Sequence, residues 1–325
     1  MRSPGVGVSR PAGIPTSKPP GVIKGLRPQR ANVVTRDGMF WGYLMIAPTL
    51  IGLLIFYIWP LIQTVYFSFT QWGPFGSYTW TGLDNYKRLL QDPGVGQAFK
   101  NTVIYALISV VGSIVLSVLI AVLLNQNIRG RTLYRTLYFL PAVTMPAAIG
   151  MIWNWMYNGD YGVINSILKQ VGIHGPYWLA DPDYALYAVA VVGIWMSVGT
   201  NMVIFLSGLQ AIPSAYYEAA SIDGASALRK FFGITIPLLS PTIFFALIIS
   251  FINAFQVFDI IYMMVGPNNP ALSSVQSVVY LFYNDAFVTN DKGTAAGIAV
   301  LLMTVLLIIT AVQFRLQRRW VTYDY

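Results

Sequence analysis

The sequence offers few side chains that could make or break covalent bonds. It contains no cysteine and a single histidine, His174, so disulfides, thiolate nucleophiles and clusters of imidazole metal ligands are excluded. Asp181 and Asp183 have the D-x-D spacing found at metal sites of membrane glycosyltransferases. The proline between them and the apolar stretch that follows are more typical of a turn before a helix. We therefore predict no catalytic residue and no metal site.

Neutral polar and aromatic side chains inside long apolar segments are better candidates for function. Asn253, Gln256 and Asp259 recur at a spacing that places them within about 120° of one another around a helix. We expect this polar stripe to face protein or water rather than lipid. Such groups could bind a sugar, or could instead bond to neighbouring helices. The candidate solute-pathway residues are Asn253, Gln256, Asp259, Asn201, Trp195, Asn154 and Trp153.

Asp259 is the one carboxylate inside a predicted membrane span. A charged group at the centre of a bilayer costs about 2.5–3.5 kcal/mol even on the most lenient scale. We therefore expect Asp259 to have a partner or to lie near the outer interface. Two roles stay open for it, namely a pathway or gate residue and a structural residue at a helix end.

The elements that position these residues are predicted to be transmembrane helices. Of the 325 residues, 56% are hydrophobic and 10% are charged, whereas soluble domains carry about 25% charged residues. Six uncharged stretches each exceed the roughly 20 residues that a helix needs to cross a bilayer. A further stretch, 260–284, is interrupted by GPNNP and is predicted to be an external loop. The predicted fold is all-α and integral to the membrane, with six transmembrane helices near residues 40–68, 101–125, 135–157, 184–208, 235–263 and 294–316.

The positions of the basic residues predict the orientation of these helices. With six spans, both termini and two loops share one side of the membrane, and that side carries 15 of the 20 lysines and arginines. The positive-inside rule then places the N- and C-termini in the cytoplasm. Residues 1–38, with six prolines, six glycines and seven basic residues, are predicted to form a disordered basic cytoplasmic arm. The arm could be attracted to anionic lipid or be simply solvated.

The cytoplasmic segment 209–238 is unusual for a connection between spans because it is long and rich in alanine and aromatic residues. Pro213 is suited to the start of a helix, Asp223 could cap a second helix, and Gly224 permits a sharp turn. The segment is therefore predicted to form two short helices joined at Asp223 and Gly224. Its small and aromatic side chains would fit the groove of a partner protein.

This segment resembles the EAA loop of permease subunits in binding-protein-dependent ABC importers. That loop has EAA, a glycine after three further residues, and an I-x-L-P ending, from which Ile236 departs by replacing the leucine. The stretches TGLDNYKRLL and RTLYRTLYFLPAV are similar to the carbohydrate branch of that family, of the MalF/UgpA-like type. The residues that match the loop are Glu218, Ala219, Ala220, Asp223, Gly224, Ala225, Ile234 and Pro237.

The resemblance implies a fold and a division of labour. The fold is the six-helix MetI/MalF-like type of ABC importers, with residues 39–325 as the transmembrane domain and about 209–238 as the coupling loop. The chain has no G-x-x-x-x-G-K-[ST] motif, so ATP and Mg²⁺ are expected on a partner ATPase and no cofactor is expected here. The implied partners are a second homologous permease, two ATPase subunits, an extracytoplasmic solute-binding protein, a carbohydrate substrate and membrane lipid, without nucleic acid. The implied ATPase-coupling residues are Glu218, Ala219, Ala220, Asp223, Gly224 and Ala225.

The implied function is that of a permease subunit, not an enzyme, which forms half of the pathway of an ATP-driven carbohydrate importer in a prokaryotic cell membrane. Three alternatives stay open. The same architecture could import glycerol 3-phosphate or a polyol, although no basic residue lies in the interior of a predicted span. A secondary transporter would be expected to show an internal repeat, and none is evident. A membrane glycosyltransferase has only the D-x-D pattern in its favour.

Overall fold

The computed structural model describes residues 36–72 and 76–322, with side chains described from residue 40 onward. Most of the predicted N-terminal arm therefore lies outside the described residues, and the first described helix begins at Arg36. The chain divides into two compact units, the first ending at Ile58 and the second beginning at Trp59.

The described part of the first unit is helical throughout. Helix α1 (Arg36–Leu53) continues into a π-helical turn, Leu54–Ile58. Pro48 lies inside α1. Proline removes a helix hydrogen bond, yet membrane helices accept it more readily than soluble ones. Counted together with the next helix, the apolar stretch Phe40–Phe67 is long enough to cross a membrane, in agreement with the first predicted span.

The described part of the second unit is helical apart from one small hairpin. Strands β1 (Thr70–Trp72) and β2 (Tyr78–Trp80) pair antiparallel, with Gln71 opposite Thr79. The helices up to the predicted coupling loop are α2 (Trp59–Phe67), α3 (Asp84–Gln91), α4 (Pro93–Asn125), α5 (Arg131–Val143), α6 (Pro146–Met156), α7 (Val163–Gln170) and α8 (Ala185–Ala211). The remaining helices are α9 (Ser214–Ile222), α10 (Ala227–Lys230), α11 (Ile236–Phe255), α12 (Asp259–Met264), α13 (Leu272–Val275), α14 (Val278–Tyr283) and α15 (Lys292–Gln317).

Within the described ranges, five helical stretches are individually long and apolar enough to cross a membrane, and the bent pair of α5 and α6 makes a sixth when it is counted as one span. The predicted all-α membrane fold with six spans is thereby confirmed, and the β-hairpin is the addition to it. The apolar helix of residues 278–288 is shorter, as expected for the external segment. The five individual stretches are Phe40–Phe67, Pro93–Asn125, Ala185–Ala211, Ala227–Phe255 and Lys292–Gln317.

The third predicted span, 135–157, is not one straight helix. Helix α5 ends at Val143, α6 begins at Pro146, and the two helices are bent by 97°. The residue before a proline is sterically pushed out of the α region, and Met145 accordingly adopts φ −58° and ψ 123°. The sequence therefore contains the cause of this bend, in the form of Pro146.

The fifth predicted span, 235–263, is wrong as a single helix. Helix α11 ends at Phe255, α12 begins at Asp259, and Phe258 between them has φ −142° and ψ −63°. No proline or glycine marks the break. The Oγ of Ser277 donates a hydrogen bond to the backbone oxygen of Val257 at 2.6 Å, which gives one freed carbonyl a partner inside the protein. The break thus depends on a tertiary contact.

Helices α4, α8 and α11 pack around the main hydrophobic core. Small residues recur on α4 at a spacing of four, which places them on one helix face. Ser109, Ser113, Ser117 and Ala121 are all buried there. Small side chains let two membrane helices approach closely, and the Oγ of Ser117 reaches the backbone oxygen of Val198 on α8 at 3.2 Å.

Gly199 of α8 allows this helix to approach α5 closely. A Cβ added at Gly199 would lie 2.4 Å from the backbone oxygen of Tyr138 and 2.9 Å from the Cα of Phe139. Because the neighbouring atoms belong to backbone, they cannot move aside as a side chain could. The α5–α8 packing therefore requires glycine at this position.

Asn85, within the TGLDNY motif, organises the segment that follows α2. Its side chain is fully buried, and its Nδ2 donates hydrogen bonds to the backbone oxygens of Ser68 at 2.9 Å and Thr70 at 2.8 Å. Gly293 at the start of α15 lies so near Thr70 that an added Cβ would be 2.0 Å from its backbone oxygen. The Asn85 amide and Gly293 thus hold α2, α3, the β-hairpin and α15 together.

We predict that Gly199→Ala destabilises the protein because the added methyl group overlaps backbone atoms of α5. Overpacking of this kind costs about 1–3 kcal/mol. The matched control is Gly96→Ala in α4, where an added Cβ meets nothing within 4 Å. Thermal unfolding in detergent should show a lower midpoint for Gly199→Ala and an unchanged or slightly higher midpoint for Gly96→Ala. Equal midpoints for the two variants would contradict the packing argument.

Candidate functional site

A polar cavity of about 440 Å³ lies among α4, α8, α11 and the start of α12, within the size range of small-molecule sites. Its walls combine hydroxyl and amide groups with aromatic rings. Among the described residues that line it, Asp259 is the one charged side chain. The polar and aromatic lining residues are Tyr105, Ser109, Ser113, Ser197, Thr200, Asn201, Ser250, Asn253, Gln256, Phe258 and Asp259.

The structure brings four of the predicted solute-pathway residues together at this cavity. Asn253, Gln256 and Asp259 line one side, and Asn201 of α8 lines another. The expected stripe on a single helix is wrong, however, because α11 ends before Gln256 and α12 begins at Asp259. All three side chains are exposed. The helix break, rather than helical periodicity alone, is what groups them.

Asp259 is the first residue of α12 and is exposed to the cavity. It forms no ion pair with any residue that the structure describes. An acidic residue in the first turn of a helix is favoured by the helix dipole, and exposure spares the carboxylate much of the cost of desolvation. Asp259 therefore stands at a helix end and also lines the cavity, so both roles that the sequence left open for it remain predictions.

Asn201 joins three helices and is only 4% exposed. Its Nδ2 lies 3.5 Å from the Oγ of Ser113 on α4 and 3.3 Å from the Oγ of Ser250 on α11. The Ser250 hydroxyl also lies 3.5 Å from the Asn201 Oδ1, with the geometry of a donor. Asn201 therefore bonds helices to one another and at the same time forms part of the cavity wall.

The candidate residues chosen from the sequence did not include those of α4, which form one wall of the cavity. Tyr105, Ser109 and Ser113 line the cavity, and Ser109 and Ser113 belong to the buried serine series of that helix. Serine at a spacing of four in an apolar helix was a signal that could have found them. Tyr105 carried no comparable signal, since tyrosine is common in membrane helices.

The other three predicted pathway residues lie outside the cavity lining. The ring of Trp153 stands edge-on to that of Trp195 at 5.6 Å and close to that of Tyr157 at 5.3 Å. The Nδ2 of Asn154 donates a hydrogen bond of 2.5 Å to the backbone oxygen of Met264, the last residue of α12. Trp153 and Trp195 pack against each other, and Asn154 caps a helix.

The predicted coupling loop forms two helices, α9 and α10, joined by a tight turn. Gly224 adopts a left-handed conformation with φ +72°. The N–H of Ala225 bonds to the carbonyl of Ala220 at 2.9 Å, and the N–H of Gly224 bonds to that of Ser221 at 3.1 Å. This pair of bonds is a Schellman motif, which commonly ends a helix at glycine. We refer to residues 214–230 as the helical hairpin.

The capping of the second helix differs from the expectation. Asp223 stands at the C-terminal end of α9, and Ser226 instead caps α10 by accepting the N–H of Arg229 on its Oγ at 3.4 Å. The prediction that Asp223 caps the second helix is therefore wrong. The three-residue shift follows from Gly224 and Ala225, which complete the end of α9 before α10 can begin.

Side-chain hydrogen bonds tie the helical hairpin to itself and to the helix that follows. The Nζ of Lys230 donates to the Oγ of Ser221 at 2.7 Å, which links α10 to α9. The hydroxyls of Tyr217 and Thr235 lie 3.0 Å apart, which links α9 to the π-helical turn Phe231–Thr235. The hairpin is therefore braced against the segment that leads into α11.

The surface of the helical hairpin is apolar for an exposed region. Ile222 is 87% exposed and Leu228 is 71% exposed. Phe232, just beyond the hairpin, is 66% exposed. Of the predicted coupling residues, Glu218, Ala219, Asp223 and Gly224 are exposed, and Ala220 and Ala225 are partly buried. Exposed apolar surface of this kind is typical of regions that contact another protein or a membrane.

The D-x-D pattern forms a turn. The Oδ1 of Asp181 accepts the backbone N–H of Asp183 at 2.9 Å, and the Asp181 backbone oxygen accepts the N–H of Ala185 at the start of α8. In the described part of the chain, no three or more acidic or histidine side chains lie together in a way that could hold a metal ion. These two aspartates thus lead the chain into a helix.

The sequence matches the family described as "Binding-protein-dependent transport system inner membrane component" over residues 113–322, which is more than half of the chain. The matched region contains the helical hairpin and most of the cavity lining.

Curated relatives cover nearly the whole chain. The sequence is 37% identical over 285 residues to the sn-glycerol-3-phosphate transport system permease protein UgpA of Agrobacterium fabrum, covering 86% of this chain and 96% of that protein. It is 36% identical over 300 residues to the probable ABC transporter permease protein YesP of Bacillus subtilis, covering 91% and 96%. Each alignment includes almost all of the relative.

A solved structure has the same fold. A chain in the crystal structure of a bacterial ABC transporter involved in the import of the acidic polysaccharide alginate superposes with a TM-score of 0.77 at 24% identity. The match covers 88% of this chain and 97% of that chain.

We predict that Asn201 and Ser250 are energetically coupled because each bonds to the other across α8 and α11. In a double-mutant cycle of Asn201→Ala and Ser250→Ala, the coupling energy should be about 0.6 kcal/mol and at most about 1.7 kcal/mol. The control cycle pairs Asn201→Ala with Ser117→Ala, whose hydroxyl bonds to Val198 instead. Unfolding in detergent should give additive effects for the control pair. Additive effects in both cycles would contradict the coupling.

Proposed function

The chain belongs to the family of inner membrane components of binding-protein-dependent transport systems, and on that premise we propose that it forms half of the translocation pathway of an ATP-driven carbohydrate importer. Membership of the family makes the chain a transport subunit of a prokaryotic cell membrane and not an enzyme. The proposal extends this family membership to the class of solute, to the partner subunits and to the use of ATP for import.

The observation that carries the carbohydrate assignment is the chemistry of the cavity wall. A sugar presents hydroxyl groups and flat faces of C–H bonds. The cavity presents hydroxyl and amide groups, such as Ser197 and Asn253, together with the rings of Tyr105 and Phe258. Each of these polar groups can donate or accept a hydrogen bond without carrying charge. Neutral polyhydroxylated solutes therefore suit this wall.

Glycerol 3-phosphate is the second candidate, because relatives such as UgpA are named for its transport. The cavity lining argues in favour of a neutral solute. It includes the carboxylate of Asp259 and, among the described residues, no lysine or arginine that could bind a phosphate group. A second permease subunit would complete the pathway and contribute its own side chains.

Energy for transport would enter through the helical hairpin. Its exposed apolar surface would contact an ATPase subunit that binds ATP and Mg²⁺, with Glu218 to Ala225 at the interface. The chain is helical from Ala227 to Phe255, so the hairpin and the cavity residues Ser250 and Asn253 belong to one lever. A displacement of the hairpin would move that side of the cavity wall. Alternating access would follow as this wall rocks.

The complete transporter would contain four membrane or membrane-bound subunits and one external partner. We place two permeases in the membrane, two ATPase subunits beneath them, and a solute-binding protein on the outer face. The fifteen-to-five distribution of basic residues supports cytoplasmic N- and C-termini and a cytoplasmic helical hairpin.

We predict that Gly224→Ala lowers ATP-dependent uptake severalfold without lowering the amount of protein in the membrane. Alanine in the left-handed conformation costs about 1–2 kcal/mol, and nothing lies within 4 Å of an added Cβ, so the effect is one of backbone strain alone. Gly233→Ala is the matched control, because its Cβ would also meet nothing within 4 Å and its backbone has no positive φ. Gly224→Asn should be intermediate, since asparagine tolerates this conformation.

Uptake at the normal rate by Gly224→Ala would show that the turn does not transmit force. A decrease of equal size in Gly233→Ala would show that the region is merely sensitive to substitution. Either result would count against the proposed coupling.

We predict that Asn253→Leu and Gln256→Leu each raise the KM for uptake by about twofold to tenfold, because one neutral hydrogen bond contributes about 0.5–1.5 kcal/mol. The control Gln91→Leu removes an exposed amide at the end of α3, outside the cavity. Uptake is measured with radiolabelled neutral sugars and with glycerol 3-phosphate. Uptake of glycerol 3-phosphate alone would overturn the carbohydrate assignment and leave the importer assignment intact.

A further inference from the structure

Three arginines surround a cavity at the C-terminal end of α15. The cavity has a volume of about 480 Å³ and is lined by Phe314, Arg315, Arg318 and Arg319. At 1.5 Å per residue, a helix as long as α15 is longer than the roughly 30 Å hydrocarbon core of a bilayer. If α15 is centred on the hydrocarbon core, its C-terminal end reaches the depth of the lipid headgroups. We refer to Arg315, Arg318 and Arg319 as the arginine cluster.

The positive charge of the arginine cluster is uncompensated within the described part of the chain. Between Gly293 and Thr322 the sequence contains no acidic residue, and Asp324 lies outside the described residues. None of the three guanidinium groups forms an ion pair with a described residue, and all three side chains are exposed. Their spacing of three and four residues places them on one side of the helix end. A guanidinium group is well suited to bind a phosphate through two parallel hydrogen bonds.

Packing against α11 holds the arginine cluster in place. The ring of Phe244 lies 5.5 Å from that of Phe314 and 6.1 Å from that of Trp320. The backbone N–H of Thr322 donates a hydrogen bond of 2.9 Å to the Oγ of Ser240, which is itself buried. The turn after α15 is thus anchored on both sides of the cluster. A site whose backbone is already ordered loses less entropy when it binds a ligand.

The face of α15 that leads to the cluster is apolar and exposed. This face carries, in order, Ile308, Val312, Arg315 and Arg319, at successive spacings of four, three and four residues. Ile308 is 58% exposed and Val312 is 50% exposed. Trp320 is 42% exposed beside the arginines, and tryptophan is enriched at the level of lipid headgroups. One continuous surface therefore combines an apolar strip with a cationic end.

We propose that the arginine cluster binds the phosphate headgroup of an anionic phospholipid, with an acyl chain lying along Ile308 and Val312. A free phosphate ion would use the arginines and leave the apolar strip uncovered. An acidic protein surface would likewise have no use for a strip that lies at the depth of the hydrocarbon. The match of both parts of the surface to both parts of a lipid molecule is what favours the lipid.

The test is native mass spectrometry of the intact transporter titrated with phosphatidylglycerol or phosphatidylcholine in detergent. The wild-type protein should retain phosphatidylglycerol in preference to phosphatidylcholine. Arg315→Gln/Arg318→Gln should weaken this retention about tenfold or more, since each basic residue near a membrane contributes about fivefold to binding. Arg315→Lys/Arg318→Lys keeps the charge and should retain most of the binding, which separates loss of the site from loss of the fold.

The matched control is Arg129→Gln/Arg131→Gln, which removes the same charge from two exposed arginines that lie between α4 and the first turn of α5. This variant should retain phosphatidylglycerol as the wild type does. Retention of phosphatidylglycerol by Arg315→Gln/Arg318→Gln at the wild-type level would overturn the proposal. Displacement of the lipid by excess inorganic phosphate alone would assign the site to a free anion instead. If Arg315→Gln/Arg318→Gln loses a protein subunit while its lipid retention is unchanged, the arginine cluster would instead be a site of protein contact.

Discussion

The cavity depends on a constraint that the bilayer imposes. Because its hydrocarbon core offers no hydrogen-bond partners, backbone N–H and C=O groups must find partners inside the protein. An interruption between α11 and α12 frees such groups. Ser277 bonds to the carbonyl of Val257, and Asn154 bonds to the carbonyl of Met264 at the far end of α12. Because these two side chains supply partners at the two ends of this region, the chain can interrupt its helix before α12. The break in turn places Gln256 and Asp259 at the cavity wall.

The same helices that enclose the cavity are those that pack most closely. Serines at a spacing of four on α4 allow α8 to approach, and Asn201 then reaches both Ser113 and Ser250. Close packing and polar bonding therefore occur on one face of each helix, and the polar groups beyond these bonds are available to a solute. A cavity formed in this way has walls of hydroxyl and amide groups, which is the chemistry that favours a neutral polar solute over an ion.

Helix α11 connects the remaining features. Its N-terminal side continues from the helical hairpin, and the hydrogen bond between Tyr217 and Thr235 braces the hairpin against the π-helical turn that leads into α11. Its middle carries Ser240 and Phe244, which hold the turn that bears the arginine cluster. Its last residues line the cavity. A lipid bound at the arginine cluster would therefore contact a turn that is anchored to the helix connecting the helical hairpin to the solute pathway.

Sequence alone determined the approximate positions of the apolar spans, the helical hairpin and its glycine turn, because apolar run length and the conformational freedom of Gly224 are local properties. It also named seven candidates for the solute pathway, of which Asn253, Gln256, Asp259 and Asn201 line the cavity, since polar side chains in apolar helices have to face protein or water. Tertiary structure alone decided the break before Asp259, which no proline or glycine marks, and the role of Asn154 as a helix cap. Both depend on hydrogen bonds to distant segments of the chain, and no local pattern of residues reports which segments will meet.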